Sequence, residues 1–474
     1  MLLNLIRTLF TTIVPLAIFK YVSVVLTKDG LGKVSYSNSI VQYALLIAGL
    51  GVSRYATREC AKCREYKDKT STLASEVFTI NIISTIVAYF VLLCIVINTN
   101  SLNEYKHLII IQSISIFFTT IGVEWISVVF EDFLSITIRT VIVQIISFVL
   151  TVIFVREPSD INKYVVIIVM AIAITSITNY VYIKKYVSLR IVFSRALFKH
   201  IRPILIISFV NIAVSIYVNS DLTILGFFRS DAEVGSYSVA VKIYTACKTI
   251  LASVIAVTVP RLSNYFETNK REYYRNLQNI FSVTLLIVIP LAIGVFLMPE
   301  LFISIISNVN YYDAAVAVKI LIVSLIPTML STIINSNILI AQRKESKLLF
   351  STSIASALNI SLNIMLIPIM GMVAAATTTL LAEGVVLLIC IFQGHNTLKM
   401  MNLKILLTDL IKILIGCAFI LLLYCLINLT LGINLYSKIV FMMLSIIGYF
   451  VIEIVIRNNG VLYLVSTKTP QNIR

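Results

Sequence analysis

The chain has 474 residues, of which 59% are hydrophobic and 13% charged, and its mean hydropathy is +0.97. No water-soluble core of this size needs so apolar a composition, which excludes a soluble globular protein and indicates a polytopic membrane protein. The net charge of +16 does not point to nucleic acid, because the basic residues cluster in alternate loops, where they act as topology signals beside anionic lipid.

Apolar stretches of about 20 residues recur from Leu9 almost to the C-terminus, a pattern typical of membrane-spanning helices and not of a membrane barrel. The first stretch lacks a small-residue cleavage site and is expected to remain as a signal anchor. No connection is long enough to fold as a domain. The sequence predicts fourteen spans, at residues 9–26, 36–56, 72–97, 107–130, 133–155, 164–183, 203–228, 235–259, 279–303, 316–340, 348–367, 372–393, 405–431 and 438–456.

The placement of lysine and arginine predicts the orientation of the chain. Six basic residues lie in 54–69 and six more in 184–202, whereas loops such as 98–106 contain almost none. By the positive-inside rule the basic loops and both termini are cytoplasmic, which fits an even number of spans. The basic connections 184–202 and 260–278 are amphipathic and are expected to lie along the membrane surface.

One internal repeat divides the chain. "SYSNSIVQY" at residues 35–43 and "SYSVAVKIY" at 236–244 match at an offset of 201 residues, and each opens the second span of a six-span block. The same offset places Lys20 opposite Asp221. The sequence therefore predicts an all-α protein with two six-helix lobes in the same orientation, at residues 1–202 and 203–394, followed by two extra helices and a cytoplasmic tail at 395–474.

Three charges lie within the hairpin of the seventh and eighth spans, where each costs several kcal/mol in lipid. Asp221 and Lys242 are each seven residues from the ends of their spans, about 10 Å from the same membrane face, and are predicted to pair. Lys248 is about 20 Å deep, with no acid at matching depth on the neighbouring span. It should face a watery cavity, a distant acid or an anionic ligand.

Other charges within spans fall into two groups. Those near span ends are expected to snorkel, or to satisfy one another as Asp409 and Lys412 do at i,i+3 spacing. The deep lysines suit an anionic substrate, and the acids could exchange protons for coupling. The snorkelling group is Glu76, Arg139 and Lys319, and the cavity candidates are Lys20, Glu124, Lys242, Lys248 and Glu383.

Nothing in the sequence argues for catalysis, a metal or a cofactor. The three histidines have no partner motif, and no Walker sequence is present. Cys60 and Cys63 form a C-x-x-C without a second pair at zinc-ribbon distance and are predicted to be reduced thiols. Asn335, Asn337, Asn359 and Asn363 are interpreted as interhelical hydrogen-bonding residues, in preference to sugar recognition.

Four stretches, in order, resemble a known family of membrane proteins. "EWISVVFEDFLSITIRTVIVQIISFVLTVIFV" at 124–155 looks like its acidic-Trp, Glu-Asp-Phe and Ile-Arg pattern, and "YATRECA" at 55–61 like its Ala-Thr-Arg-Glu motif. "VGSYSVAVKI" with "VPRLS", and "NISLNIMLIPIMGMVAAATTTLLAE" at 359–383, are similar to its eighth, eleventh and twelfth spans. The matching positions include Arg58, Glu59, Trp125, Glu131, Asp132, Phe133, Arg139, Gly235, Tyr237, Ala240, Lys242 and Pro260.

The family is that of the polysaccharide repeat-unit flippases of the Wzx type, within the multidrug/oligosaccharidyl-lipid/polysaccharide exporter superfamily. The resemblance implies a MATE-like fold in the bacterial inner membrane and alternating-access transfer of undecaprenyl-pyrophosphate-linked oligosaccharide for O-antigen or capsule. The pyrophosphate would bind Lys20, Lys242 or Lys248. A proton or sodium gradient would couple through Asp221, Glu124 or Glu383. Polymerase and chain-length proteins would be partners. Arg54, where the family is less polar, adds a charge at the cytoplasmic mouth and joins the binding candidates.

Three alternatives stay open at this point. A cation-coupled multidrug antiporter would share the twelve-helix core but should have a cavity lined mainly by acids. A lipid II flippase would also have fourteen spans and a cationic cleft. A scaffold of a polysaccharide assembly complex would not need its intramembrane charges.

Overall fold

The computed structural model describes residues 2–342, 344–431 and 435–466, and within these ranges every regular element is a helix, with no β-strand. Each of the fourteen predicted spans coincides with a helix or a pair of consecutive helices. Ten helical segments of the described residues are long and apolar enough to cross a membrane, and two shorter apolar helices bring the total to twelve. The all-α membrane fold is confirmed, with ten to twelve spans supported by length and composition.

The chain packs as two compact units. The first unit comprises Met1–Ser238 and Ile360–Ala375. Its core includes Trp125 and Tyr55, packed among apolar side chains of the third, fourth, sixth and ninth helices. Its helices are α1 (Leu2–Val25), α2 (Thr27–Gly49), α3 (Val52–Ala61), α4 (Lys67–Asn98), α5 (Lys106–Gly122), α6 (Glu124–Val129), α7 (Phe133–Phe154), α8 (Ile161–Ile183) and α9 (Leu197–Phe228).

The second unit comprises Val239–Asn359 and Ala376–Arg474. Three helices contribute to both units, because α10, α14 and α15 each cross a boundary between these ranges. A π-helical stretch, Ile334–Ile340, directly follows α13. The helices are α10 (Asp231–Thr268), α11 (Lys270–Leu297), α12 (Pro299–Ile306), α13 (Ala315–Ile333), α14 (Glu345–Met370), α15 (Met372–Lys399), α16 (Leu403–Leu431), α17 (Leu435–Val455) and α18 (Asn459–Ser466).

These units group segments by packing, and they are not the predicted sequence repeats. The lobe boundaries predicted after residues 202 and 394 therefore remain a prediction. The second predicted span, 36–56, is interrupted at Leu50 and Gly51, both of which adopt left-handed backbone conformations. The chain turns there, and α3 begins as a separate, more polar helix.

A break also divides the predicted fourth span, between α5 and α6. Val123 has a φ of 36°, a conformation that a β-branched residue adopts only under local constraint. Asn179 of α8 supplies that constraint, since its amide nitrogen donates to the Gly122 carbonyl and its amide oxygen accepts from Ser127 Oγ at 3.1 Å. The break places Glu124 and Trp125 at the start of a new helix.

Helices α2 and α10 cross in close contact in the first unit. A Cβ on Gly32 would lie 1.8 Å from the carbonyl oxygen of Asp231, and a Cβ on Gly235 would lie 2.1 Å from that of Lys28. Only glycine permits this approach of two helix backbones. The crossing directly precedes both copies of the Ser-Tyr-Ser repeat, so the two repeated sequences begin at one contact.

Residues 184–196, between α8 and α9, are not helical, and they are called the linker segment here. Part of this segment runs along α4. The amides of Ser188, Arg190 and Val192 donate to Ser71 Oγ, Ser75 Oγ and Thr79 Oγ1 at 3.2, 3.1 and 3.0 Å. Two extended residues advance about 6.6 Å and four helical residues about 6 Å, so the two spacings match. This hydroxyl ladder satisfies backbone groups that have no helical partner.

Candidate functional site

Lys248 and Glu383 form an ion pair in the second unit. Lys248 Nζ on α10 lies 3.5 Å from Glu383 Oε1 on α15, with side-chain exposures of 33% and 6%. This acid does not come from the neighbouring span, since it is supplied by α15, a helix distant in the sequence. Of the surroundings predicted for Lys248, the structure provides the distant acid.

Two further polar groups lie beside this ion pair. The ammonium of Lys248 is 5.5 Å from the centre of the Tyr244 ring, one helical turn earlier on α10. The Tyr244 hydroxyl in turn hydrogen-bonds Thr328 Oγ1 of α13 at 3.0 Å. The lysine therefore has an acid and an aromatic face as neighbours, and its partial exposure leaves it accessible to a third group.

Asp221 is buried in the first unit and is held by neutral donors. Its Oδ2 accepts from the Tyr237 hydroxyl at 3.1 Å, and its Oδ1 accepts from the Asn363 amide nitrogen at 2.6 Å. The interpretation of Asn363 as an interhelical hydrogen-bonding residue agrees with this contact. The predicted pairing of Asp221 with Lys242 remains a prediction.

The other binding and coupling candidates occupy varied surroundings. Lys20 on α1, Arg54 on α3 and Glu124 at the start of α6 are exposed, and Lys242 on α10 is half-buried. Lys248 and Glu383 are the two cavity candidates that form an ion pair with each other. The proposed roles of all these residues stay predictions.

The Glu-Asp-Phe motif builds a compact polar cluster between α6, α7 and the end of α8. Asp132 caps α7 by accepting from the Ser135 amide at 3.3 Å. Its other oxygen accepts from the hydroxyls of Tyr182 and Tyr186 at 2.6 and 2.8 Å, and Lys185 Nζ lies 3.4 Å away. Burial opposes ionisation, but these hydrogen bonds, led by that from Tyr182, hold the pKa of Asp132 well below its usual range.

The remaining motif residues support this end of the unit. Arg139 stacks its guanidinium 4.8 Å from the Tyr182 ring centre. Glu131 pairs with Arg64 at 2.6 Å, and Trp125 is buried in the core. Glu59 pairs with Arg58 at 2.9 Å and with Lys62 at 2.7 Å; the hydrogen bond from Lys62 is the main cause that lowers the pKa of Glu59. Apart from the buried Trp125, these motif residues form ion pairs or ring contacts with nearby side chains.

Glu76 does not snorkel, and that expectation was wrong. It is buried and its Oε2 lies 2.8 Å from His200 Nε2, while His200 Nδ1 lies 2.6 Å from the Tyr55 hydroxyl. Lys199 Nζ also lies 3.4 Å from the same carboxylate oxygen. This series of side-chain contacts links α3, α4 and α9. No sequence motif signals it, because its four residues come from three distant segments.

The predicted pairing of Asp409 with Lys412 was also wrong. Asp409 is fully buried and accepts from the Ser282 hydroxyl at 2.6 Å and the Asn459 amide nitrogen at 2.9 Å. Lys412 instead donates to the Arg457 carbonyl at 2.9 Å. The i,i+3 spacing permits a pair, but the turn after α17 offers both side chains other partners.

Cys60 and Cys63 are free thiols, and burial raises the pKa of Cys60 to about 12.

Solved transporters share this fold. The chain superposes on "Lipid II flippase MurJ, inward closed conformation" with a TM-score of 0.72 and 16% identity, over 96% of each chain. It also superposes on "Inward-facing conformation of a multidrug resistance MATE family transporter of the MOP superfamily", with a TM-score of 0.62 and 15% identity, over 83% of this chain and 96% of the other. At these identities the likeness shows the fold alone, and it confirms the MATE-like prediction.

Two archaeal proteins are similar in sequence. "Uncharacterized membrane protein MJ1068" of Methanocaldococcus jannaschii is 26% identical over 344 residues, 66% of this chain and 67% of that protein. "Probable low-salt glycan biosynthesis flippase Agl15" of Haloferax volcanii is 27% identical over 167 residues, 35% of each chain, so the match spans about a third of that relative. Residues 1–266, more than half of the chain, match the family described as "Polysaccharide biosynthesis protein". The chain therefore belongs to the polysaccharide biosynthesis protein family, as a multi-pass membrane protein with the fold of the lipid II flippase and MATE transporters.

Proposed function

We propose that this protein is a flippase that moves lipid-linked oligosaccharides across a membrane by alternating access. The substrate is an oligosaccharide on a polyprenyl pyrophosphate. More specifically, the proposed substrate is an undecaprenyl-linked repeat unit. It is transferred from the cytoplasmic to the periplasmic leaflet of a bacterial inner membrane, for O-antigen or capsule. Both termini would be cytoplasmic, and polymerase and chain-length proteins would act on the product.

The observation that carries this proposal is the Lys248–Glu383 ion pair within apolar helices. An intramembrane lysine is costly and marks a functional site by default. Its acidic partner Glu383 is buried, whereas the lysine itself is one-third exposed. A pyrophosphate carries about two negative charges, and it would compete with Glu383 for the ammonium.

Three further observations support the proposal. The family description names polysaccharide biosynthesis, a relative matched over a third of its length is named a probable glycan flippase, and the fold is that of a lipid-linked substrate flippase. No catalytic motif in the sequence suggests an enzyme instead. The positive-inside pattern supports the proposed orientation.

Deletion of the gene in its own host tests the biological role. We expect surface polysaccharide to be lost and single lipid-linked repeats to accumulate on the cytoplasmic leaflet. Unchanged polymer together with increased sensitivity to cationic drugs would replace the proposal with the multidrug antiporter. Arrested peptidoglycan synthesis with accumulated lipid II would replace it with the lipid II flippase.

Reconstitution into liposomes tests the site. The protein is supplied with a fluorescent polyprenyl-pyrophosphate oligosaccharide, and its exposure on the opposite leaflet is followed by chemical quenching. Lys248→Ala should lower the rate about 10- to 100-fold, because a charge-assisted contact contributes roughly 1.5–3 kcal/mol. Lys319→Ala, which removes an intramembrane lysine 5.6 Å from the centre of the Phe296 ring, is the matched control. Full activity of Lys248→Ala would remove Lys248 from the site, and equal losses in both variants would indicate a general effect of charge.

Coupling to a proton or sodium gradient is proposed to proceed through the intramembrane acids Asp221 and Glu383, with Glu124 as a third candidate. Asp221 combines a carboxylate with amide and hydroxyl groups, which suits binding of a proton or a small cation. Transport into liposomes should accelerate when a proton or sodium gradient is imposed, and Asp221→Asn should abolish the acceleration. The same rate with and without both gradients would rule out coupling.

A further inference from the structure

Two acids are completely buried among α16, α17 and the start of α18, in the second unit. Asp409 lies on α16 and Glu453 lies two residues before the end of α17, and each has 0% exposure. Neither belongs to the Lys248–Glu383 ion pair or to the motifs of the first unit. Buried charges in proteins are ordinarily paired or fully hydrogen-bonded, so two acids here call for a physical account.

Asp409 has the hydrogen bonds that an ionised carboxylate requires. Its Oδ2 accepts from the Ser282 hydroxyl at 2.6 Å. Its Oδ1 accepts from the side-chain amide of Asn459 at 2.9 Å and from the Asn459 backbone amide at 3.3 Å. Donors on both oxygens stabilise the negative charge.

Glu453 has no such set. Its Oε2 accepts from the Asn458 amide nitrogen at 2.8 Å, but its Oε1 is buried and has no hydrogen-bond partner within the described residues. Lys412, the nearby cation on α16, donates to the Arg457 carbonyl at 2.9 Å. Among the described residues no cation is in salt-bridge contact with Glu453, so an ionised Glu453 would be a buried charge without a direct counter-ion, which is unfavourable.

The space around Oε1 argues against a metal ion. A Cβ on Gly416 of α16 would lie 2.7 Å from this oxygen, so the helix backbone directly covers it. A metal ion needs several oxygen ligands around it. Within the described residues, no group of three or more His, Cys, Asp or Glu side chains could hold one. A proton bound to the carboxyl group needs no such shell.

We propose that Glu453 is a proton-binding site between α16 and α17, a neutral carboxylic acid beside an ionised Asp409. Asn458 contacts both residues, since its amide nitrogen donates to Glu453 Oε2 at 2.8 Å and to the backbone carbonyl of Asp409 at 3.4 Å. The proton is taken up from solvent and forms an O–H bond on Oε1, which converts the carboxylate to the neutral acid. Different surroundings thus give two neighbouring acids different protonation states.

The titratable and charged groups around Glu453 come from every element of this region. Each of the hydroxyls has its own partner, because Tyr449 donates to the Leu286 carbonyl of α11 at 2.9 Å and Tyr463 of α18 to Asn276 Oδ1 at 3.4 Å. The groups that act electrostatically on Glu453 are Asp409, Lys412 and Cys417 on α16 and Tyr449 on α17, and the nearest titratable groups of the following turn and of α18 are Arg457 and Tyr463.

Infrared difference spectroscopy of the purified protein at neutral pH tests the protonation state. The carbonyl stretch of a protonated carboxyl group should be present in the wild type, absent in Glu453→Gln, and retained in Asp409→Asn. Loss of the band in Asp409→Asn alone, or wild-type and Glu453→Gln spectra that are identical in this region, would overturn the proposal.

A second measurement uses only the wild type and so does not depend on the folding of a variant. The infrared band of protonated carboxyl is followed while the pH is raised, with glutamate or aspartate labelled with carbon-13 in separate samples. The band should shift with labelled glutamate and disappear as the proton is released. A band that shifts only with labelled aspartate would overturn the assignment. Because both measurements need no substrate, they are independent of the proposed function.

Discussion

Lys248 Nζ on α10 lies 3.5 Å from Glu383 Oε1 on α15, and the lysine side chain is one-third exposed whereas that of the glutamate is buried. Glu383 is buried, so its replacement leaves an ammonium without its counter-ion, and replacement of the lysine leaves a buried carboxylate. Breaking a buried pair costs about 3–5 kcal/mol, and the one-third exposure of Lys248 reduces this to roughly 1–3 kcal/mol.

The first prediction is that Glu383→Gln lowers the midpoint of thermal unfolding in detergent, and that the exchange variant Lys248→Glu with Glu383→Lys recovers most of the loss. The exchange restores the ion pair but moves the cation to the buried position, so transport should stay low. Equal stability of Glu383→Gln and wild type would show that the pair contributes no stability.

The second prediction concerns the pH dependence that arises from Asp132. Its pKa is held below the usual range in the folded protein, so it stabilises the fold above the unfolded value of about 3.9. This contribution disappears as the pH falls through the folded pKa. Asp132→Asn should therefore destabilise the protein at neutral pH by about 1–3 kcal/mol, and the difference from wild type should shrink as the pH falls below about 4.

Trp125 reports on this region directly, because it is the single tryptophan of the chain and is buried on α6. Its fluorescence should follow the unfolding of the Asp132 cluster in both proteins. Asp68→Asn, at the exposed first turn of α4, is the control. A difference between wild type and Asp132→Asn that is constant with pH would show that the effect does not come from the ionised carboxylate.

The third prediction concerns the crossing of α2 and α10. Gly32→Ala would place a methyl group 1.8 Å from the Asp231 carbonyl oxygen, which is backbone and cannot rotate away. The helices must separate, so we expect loss of folded protein as measured by size-exclusion chromatography. Gly294→Ala in α11 is the matched control, because its Cβ meets nothing within 4 Å. The control should be neutral or stabilising by up to about 1 kcal/mol, and an equally tolerated Gly32→Ala would contradict the close approach.

The sequence predicted those features that follow from local periodicity and charge. Apolar stretches located the long apolar helices but not α18, which follows the last predicted span, and the Ser-Tyr-Ser repeat identified two segments that begin at one crossing. It could not predict partners across distant segments: Glu76 and His200 are far apart in the chain, and Asp409 finds Ser282 instead of Lys412. Spacing along one helix predicts which residues share a face of that helix. Which residue becomes the hydrogen-bond or ion-pair partner depends on how the helices pack. For the same reason, the sequence did not identify Glu383 as the acid that pairs with Lys248.

The last prediction concerns the hydroxyl ladder between α4 and the linker segment. Ser71, Ser75 and Thr79 accept the amides of residues 188, 190 and 192, which have no helical partners. Removing one hydroxyl leaves a backbone donor without its acceptor and costs about 1–3 kcal/mol if water does not replace it. The combined variant Ser71→Ala, Ser75→Ala and Thr79→Val should release the linker segment locally while the helices stay folded. Because the three contacts hold one segment, their effects should not add independently.

Trypsin provides the measurement, since Arg190 and Arg195 lie in the linker segment and are exposed. We expect cleavage there to accelerate about tenfold for each 1.4 kcal/mol of lost protection, provided that opening is fast relative to cleavage. Thr72→Ala is the matched control, because the Thr72 hydroxyl donates to the Asp68 carbonyl of its own helix at 2.9 Å and not to the linker segment as far as that segment is described. Cleavage at the same rate in the combined variant and in Thr72→Ala would show that the ladder does not hold the linker segment, and that its amides are satisfied equally well by water.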